Sequence, residues 1–327
     1  MTASTRPTSL GGAPFSDGSD SASSPDAARA RHERLGSEDP FVIHRSLLFT
    51  VAYEMLGSAA DAEDVVQEAW LRWADIGDAG RAEVRDPRLY LVRIVTRQAL
   101  NRLRTLARRK EEYVGEWLPE PVLTSPDVAQ DVELAESVSI AMLTVLETLT
   151  PAERAVFVLR EVFDMPYDEI APALDKTPAA VRQIAHRARE RVAARRPRIQ
   201  VDRSEQQAVL ERFLAAVNSG DLQGLLDVLA PDVVLVADGG GLVAAALRPV
   251  VGGARVAGFL ARFPALAPDV RIATVWLNGA PALRIDAAGK FDTAVSIVVE
   301  SGRISRIYAM RNPHKMARLD EQVSLSR

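Results

Sequence analysis

Residues 150–191 read TPAERAVFVLREVFDMPYDEIAPALDKTPAAVRQIAHRARER. Thr150, Pro151 and Glu153 spell a capped helix start. The Thr hydroxyl can accept from the amide three residues on, Glu153 can reach back, and Pro151 sits where its missing N–H costs nothing. The spacing predicts a helix over 151–162, a turn at Met165-Pro166 and a short helix over Tyr167–Leu174 with Ile170 and Leu174 inward. Asp175-Lys176 turns the chain again, and Thr177 caps a longer helix that opens Pro178-Ala179-Ala180-Val181. On that helix Ala180, Val181, Ile184 and Ala188 form a small packing face. Lys176, Thr177, Arg182, Gln183, His186 and Arg187 are left to face a DNA groove. Helix, tight turn and Arg-rich helix make a helix-turn-helix. An ordinary helical hairpin is the plainer alternative.

Working outward, residues 135–197 bound this unit. Before it, residues 39–109 form another helical module. Leu47, Leu48, Val51, Ala52 and Met55 recur at helical spacing up to Gly57-Ser58. Ser58 or Asp61 caps a second helix with Val65, Val66, Ala69, Trp70 and Trp73 on one face and acids on the other. Asp86-Pro87 opens a third. Residues 110–134 are a linker, broken by the two prolines of Trp117-Leu118-Pro119-Glu120-Pro121. Residues 1–38, rich in Ser, Gly, Ala, Pro and Asp, read as a disordered tail.

Net charge over the 327 residues is −4, so basic groups are concentrated, not abundant. Arg81, Arg85, Arg88, Arg93, Arg97, Arg102, Arg104, Arg108, Arg109 and Lys110 crowd one stretch against Glu83 and Asp86. Arg182, Arg187, Arg189, Arg191, Arg195, Arg196 and Arg198 crowd another. Arginine forks suit phosphates and guanine edges, and such faces bind by displacing counterions. A solvated basic helix face is the alternative for either run alone.

From about Ser204 to residue 327 the rhythm changes to two helices, then strand-like runs at 232–236, 270–277, 282–286, 291–299 and 304–310. Asn278-Gly279, Ala288-Gly289 and Ser301-Gly302 mark hairpin turns. This order predicts an α+β domain with a curved antiparallel sheet, so the chain is multidomain. There is no cysteine, and the four histidines are scattered, which excludes disulfides and argues against a metal or other cofactor. No apolar run is long enough to span a membrane, so a cytoplasmic chain is expected. Asp238, Asp286 and Asp292 read as turn or exposed-strand carboxylates. With no spaced acid/base pair, the reading is of a non-enzyme.

Over residues 40–196 the chain resembles the extracytoplasmic-function (ECF) sigma factors, with their region 2 helical bundle and region 4 helix-turn-helix. The run Asp61-Ala62-Glu63-Asp64-Val65-Val66-Gln67-Glu68-Ala69-Trp70-Leu71-Arg72 looks like the helix that grips the polymerase clamp. Pro87–Arg104 is similar to the helix that melts and reads the −10 element, and Leu149–Arg191 to the −35 module. The resemblance implies core RNA polymerase and promoter DNA as partners. It implies polymerase contacts at Asp61, Asp64, Gln67, Glu68 and Arg72, and −10 contacts at Arg88, Arg93, Arg97, Asn101, Arg102 and Arg104. It also implies −35 contacts at Lys176, Thr177, Arg182, Gln183, His186 and Arg187. Asn101 stands where many relatives carry Asp, and the loop 75–87 would hold a flipped base.

The C-terminal segment resembles a SnoaL-like (NTF2-like) cone. Residues Trp117–Pro121, Asp238-Gly239-Gly240-Gly241 and Asn312-Pro313-His314-Lys315 look like the marks of the SigJ-like group. Leu242 follows the glycines where that group commonly has Lys. The resemblance implies regulatory roles for Trp117, Leu118, Pro119, Glu120, Pro121, Asp238, Gly239, Gly240, Gly241, Asn312, Pro313 and Lys315, with the cone docking on the linker and both modules. A small ligand in the cone and a monomeric free protein are further expectations. A helix-turn-helix regulator with a ligand-binding cone is the alternative reading, and an enzyme with a DNA-binding accessory part is a more distant one.

Overall fold

The computed structural model describes residues 39–196, 203–262, 270–287 and 290–327. The expected tail 1–38 and the end of the second module at 197–198 lie outside the described residues. In the first module α1 spans Pro40–Leu56 and α2 Ala59–Asp75. Short α3 covers Gly77–Glu83, and long α4 Pro87–Glu111. Every residue of α1 from Leu47 to Leu56 is buried, and a helix apolar on all sides belongs at the centre of its unit. Gly57, at φ 66°, ends it by donating its amide to Tyr53 O. Ser58 then caps α2, and Asp86 caps α4 by accepting from Leu89 N at 2.9 Å.

The linker carries a tight turn at Pro126–Gln130. The second module follows: α5 (Val132–Ser137), α6 (Ile140–Leu146), α7 (Pro151–Phe157), α8 (Tyr167–Ile170) and α9 (Pro178–Ala193). The Thr150–Glu153 capping box is formed in both directions, and α7 runs on through a wider helical turn at Val158–Val162. Thr177 caps α9 by accepting from Ala180 N. α4 extends two residues into the expected linker, and α5 begins three residues before the expected start of the second module.

The C-terminal domain runs α10 (Arg203–Ser219), α11 (Leu222–Val228), β1 (Leu229–Asp238), β2 (Val250–Val251), α12 (Gly253–Leu260), β3 (Val270–Leu277), β4 (Ala280–Ala287), β5 (Lys290–Glu300), β6 (Arg303–Met310) and α13 (Pro313–Met316). The strands form one sheet in the order β2-β1-β6-β5-β4-β3. The sheet is mixed, a correction to the antiparallel expectation, because β1 and β6 run parallel with Leu235 opposite Ile307. Parallel neighbours need a long crossover, and the excursion through β2–β5 supplies it.

Both faces of this sheet are covered. One packs Leu235, Ile297 and Ile307 against Val209, Phe213, Leu225 and Val256 of α10–α12. The other packs Leu277, Ala294, Val298, Tyr308 and Met310 against Leu118 of the linker, Ile140 and Ala141 of the second module, and Met316 and Leu319 of the tail. Two buried faces explain why β5 is buried without alternation from Thr293 to Val299. Among the described residues no helix is long and apolar enough to cross a membrane, and no group of His, Asp and Glu is arranged to hold a metal.

Candidate functional site

On α9 the buried Val181, Ile184, Ala185, Ala188 and Val192 hold the helix to its module. Arg182, Gln183, His186 and Arg187 are exposed, as are Lys176 and Thr177 just before them. Arg191 reaches Glu153 Oε2 at 2.5 Å, and Arg187 lies 3.9 Å from the same carboxylate. The Arg160 and Arg182 guanidiniums lie 5.1 and 5.8 Å from the Tyr167 ring centre. The result is a solvent-facing cationic surface on a rigid helix, which is what phosphate and base-edge contacts require.

The first module is arranged differently from the expectation. Asp64, Gln67, Glu68 and Arg72 are exposed on α2, but Asp61 is buried. Arg102 of α4 donates through Nε to Asp61 Oδ1 at 2.6 Å and through Nη2 to Asp64 Oδ2 at 2.9 Å. Gln98 Nε2 donates to Glu68 Oε2 at 2.8 Å. Residues expected to face two different partners thus stitch α2 to α4. Asp61 is a structural anion in this state, because α4 crosses the first turn of α2. Arg104 donates to Asn101 Oδ1 at 2.9 Å, Arg88 is exposed and Arg93 is half-buried. Arg97 reaches across to the second module, donating to Pro172 O at 3.0 Å and Asp175 Oδ1 at 2.8 Å. Both members of that pair are largely exposed, so it contributes ~1 kcal/mol or less.

The strong contacts are buried and lie elsewhere. Asp238, expected at an exposed position, has no solvent exposure. Its Oδ2 accepts from Lys315 Nζ at 2.7 Å and from Leu118 N at 2.9 Å, while Oδ1 accepts from Tyr113 Oη and from Gly240 N. Lys315 Nζ also donates to Leu118 O at 2.5 Å. The cation expected beside the glycines, and missing at Leu242, therefore arrives from the tail. Lys315 Nζ sits 3.5 Å from the Trp117 ring centre, and Lys110 Nζ lies 5.0 Å from the same ring. Burial lowers the pKa of Lys315, although Asp238 opposes the shift. Asn312 Nδ2 donates to Tyr113 Oη at 2.6 Å. Gly240, at φ 62°, is required here because a Cβ would stand 2.5 Å from Asn312 Nδ2. Leu118, Pro119, Glu120 and Pro121 are all buried, Gly239 is buried and Gly241 exposed, and Pro313 is exposed.

A second strand of the junction joins the two helical modules. Lys110 and Arg154 both pair with Glu147, the latter at 2.8 Å. Burial opposes the Glu147 charge, but Arg154 and Lys110 outweigh it and hold the carboxyl below its usual range. Arg154 Nε donates to Glu54 O at 2.8 Å. The Glu54 side chain, wholly buried, meets Ser137 Oγ at 2.7 Å, and burial pushes its pKa up to about 8. Glu120 accepts from Ser58 Oγ at 3.0 Å and Ala60 N at 3.3 Å, so the linker carboxylate stands over the N-terminus of α2.

Sequence reasoning gave no role in this junction to Tyr53, Glu54, Tyr113, Ser137, Glu147 or Arg154, and it read Lys110 only as part of a basic run and Asn278 only as a turn residue. A charged residue on a helix reads as solvated unless the packing of another element is known. The one available signal was compositional: Tyr113 and Trp117 are aromatics in a linker that needs none.

The geometry agrees with what the chain is similar to. Residues 41–109 match Sigma-70 region 2, residues 139–192 match Sigma-70, region 4, and residues 210–283 match a SnoaL-like domain. The ECF RNA polymerase sigma factor SigJ of Mycobacterium tuberculosis is 41% identical over 220 residues, covering 66% of this chain and 69% of that one. The probable ECF RNA polymerase sigma factor SigI of the same organism is 32% identical over 275 residues, covering 83% and 91%. The crystal structure of M. tuberculosis SigJ superposes with a TM-score of 0.69 at 33% identity, over 85% of this chain and 97% of that one. Two sigma modules in this order, extended by a SnoaL-like domain, place the chain in one family: it belongs to the ECF RNA polymerase sigma factors.

Proposed function

We propose that this sigma factor grips core polymerase through the exposed acids of α2, reads the −10 element with α4 and the −35 element with α9, and is held closed by its own C-terminal domain. The observation that carries the reading is the buried Lys315–Asp238 pair seated on Trp117 and Leu118. A buried ion pair that joins the C-terminal domain to the linker holds that linker only in the docked arrangement. In that arrangement Arg97 of the −10 helix is spent on Asp175 of the second module. Two modules that must reach separate stretches of promoter cannot do so while they hold each other. Opening is therefore part of initiation.

Reconstitution with core polymerase and a promoter library tests the reading. Association and initiation from a defined pair of −35 and −10 elements are expected; absence of association would overturn it. Within that assay, Asp64→Asn with Glu68→Gln is expected to weaken polymerase association roughly tenfold, through lost charge complementarity. Asp61→Asn should instead lower the melting temperature of the free chain, because its carboxylate is held by Arg102. Equal effects on association from the two sets would contradict this division. On the −35 side, Arg182→Ala and Arg187→Ala should each cost about 1–3 kcal/mol of binding by the holoenzyme if they read bases, with relaxed selectivity at one position. Loss that is uniform across sequences would assign them to phosphates. No loss would remove α9 from the interface.

A further inference from the structure

Asn278-Gly279 read in the sequence as the tip of an ordinary hairpin, which would point its side chain at water. In the structure Asn278 is 1% exposed. It holds φ at 52°, the left-handed region that Asn tolerates. Its whole amide is engaged, and by three separate parts of the chain. Oδ1 accepts from Val122 N of the linker at 3.0 Å. Nδ2 donates to Tyr53 Oη of α1 at 2.7 Å and to Val138 O, between α5 and α6, at 2.8 Å. Tyr53 Oη in turn donates to Glu120 O at 2.6 Å. The next residue fits as closely: Gly279 N donates to Thr124 Oγ1 at 3.1 Å, and a Cβ on Gly279 would stand 2.9 Å from Ala135 of α5. Thr124 N donates back to Trp276 O at 3.0 Å, so the linker lies along the end of β3.

We infer that the β3–β4 hairpin tip is a wedge that positions the two sigma modules, with Asn278 as the positioning residue that bridges α1 to the second module. This deepens the proposed autoinhibitory closure and rests on it. A turn needs only the backbone conformation, and glycine supplies that equally well. The buried amide does something the turn does not need. It is the shared hydrogen-bond partner of Tyr53 and Val138, which belong to different modules. If the modules part, at least one of these groups is left without its partner until water reaches it, and unpaired buried groups are costly. The wedge sits on the far side of the linker sequence from the Asp238–Lys315 pair. It therefore adds a hold on the modules themselves, whereas that pair holds the linker.

The chain has no cysteine, so a spin-label pair at Ala82→Cys in α3 and Ala193→Cys in α9, both exposed, reports the distance between modules without background. The full chain is expected to show one narrow distance distribution. Asn278→Gly keeps the turn and removes only the side-chain links. It should add a longer-distance population, raising the open-to-closed ratio roughly a hundredfold for about three lost hydrogen bonds. Gly279→Ala, which drives a methyl against α5, should do the same. Tyr53→Phe leaves the hairpin untouched and removes one link, so a smaller rise in the same direction is expected. An unchanged distribution in all three would overturn the wedge. If Lys315→Met opened the modules while these three did not, the wedge would be wrong and the closure reading would stand. A parent chain that is already broad, or four variants that all stay closed, would sink the closure reading with it.

Discussion

Replacing Lys315 with methionine is expected to destabilise the docked chain by about 3–5 kcal/mol, the usual cost of stripping one partner from a buried ion pair. Asp238 would keep a charge at a position with no solvent exposure. Its remaining partners, Leu118 N, Gly240 N and Tyr113 Oη, donate hydrogen bonds but carry no net positive charge. Leu118 O would lose its donor as well. The Trp117 ring would lose the nearer of its two cations. Lys315→Met combined with Asp238→Asn should recover a large part of the loss, since no buried charge then remains while the acceptor oxygen is kept. Arg97→Ala, which breaks an exposed pair, should shift stability by less than about 1 kcal/mol. Denaturant midpoints of the three variants and the parent check the pattern. Similar small shifts throughout would show that the Lys315 pair is no stronger than a surface contact and that docking rests on the apolar face of the sheet alone.

The second large effect is a pH dependence centred on Glu54. Ser137 Oγ stands 2.7 Å from Glu54 Oε1 and 2.9 Å from Leu134 O. One hydroxyl proton cannot serve both oxygens. A protonated Glu54 that donates to Ser137 Oγ, while Ser137 donates to Leu134 O, satisfies the set. Burial is the main cause of the raised value of about 8; Ser137 and Arg154 act against it. The charged or titratable groups that face Glu54 are Arg154 from the second module and Tyr53 on α1 itself. The sign follows from linkage. The closed form binds the proton more tightly than a solvated carboxyl with its usual value of 4.5. Closure is therefore fully supported below about pH 4.5 and loses support as pH rises to about 8. Each pH unit in that window is worth about 1.4 kcal/mol, so several kcal/mol are at stake. Glu54→Gln keeps the shape and removes the titration. It should flatten stability across this window and raise it by about 2–4 kcal/mol near pH 8. A parent and variant with parallel pH profiles would mean that Glu54 is ionised in the closed form.

Much of this molecule was legible in its sequence, for reasons that are local. The capping box at Thr150–Glu153, the Thr177 cap, the Asp86-Pro87 start and the turn at Asn278-Gly279 each depend on a few neighbouring residues, and each forms as read. Helical periodicity assigned Val181, Ile184 and Ala188 to the packing face of α9, because that face is set by a 3.6-residue repeat alone. The exposure of Arg182, Gln183, His186 and Arg187 follows from the same repeat.

What tertiary structure alone decided is which charged and polar groups leave water. Asp61 and Asp64 sit in one acidic run, yet the crossing of α4 forty residues on buries the first and leaves the second exposed. Asp238 and Lys315 are as far apart in sequence as in chemical character, and nothing local to either marks it for burial. Asn278 was correctly placed in a turn, but a turn residue does not announce that its amide will be enclosed by α1, the linker and the second module. Local rules govern how a segment folds, because backbone conformation and side-chain period are short-range properties. Desolvation depends on which distant surfaces meet, and in this chain the meeting of two sigma modules, a linker and a sheet turns ordinary surface residue types into the groups that hold it closed.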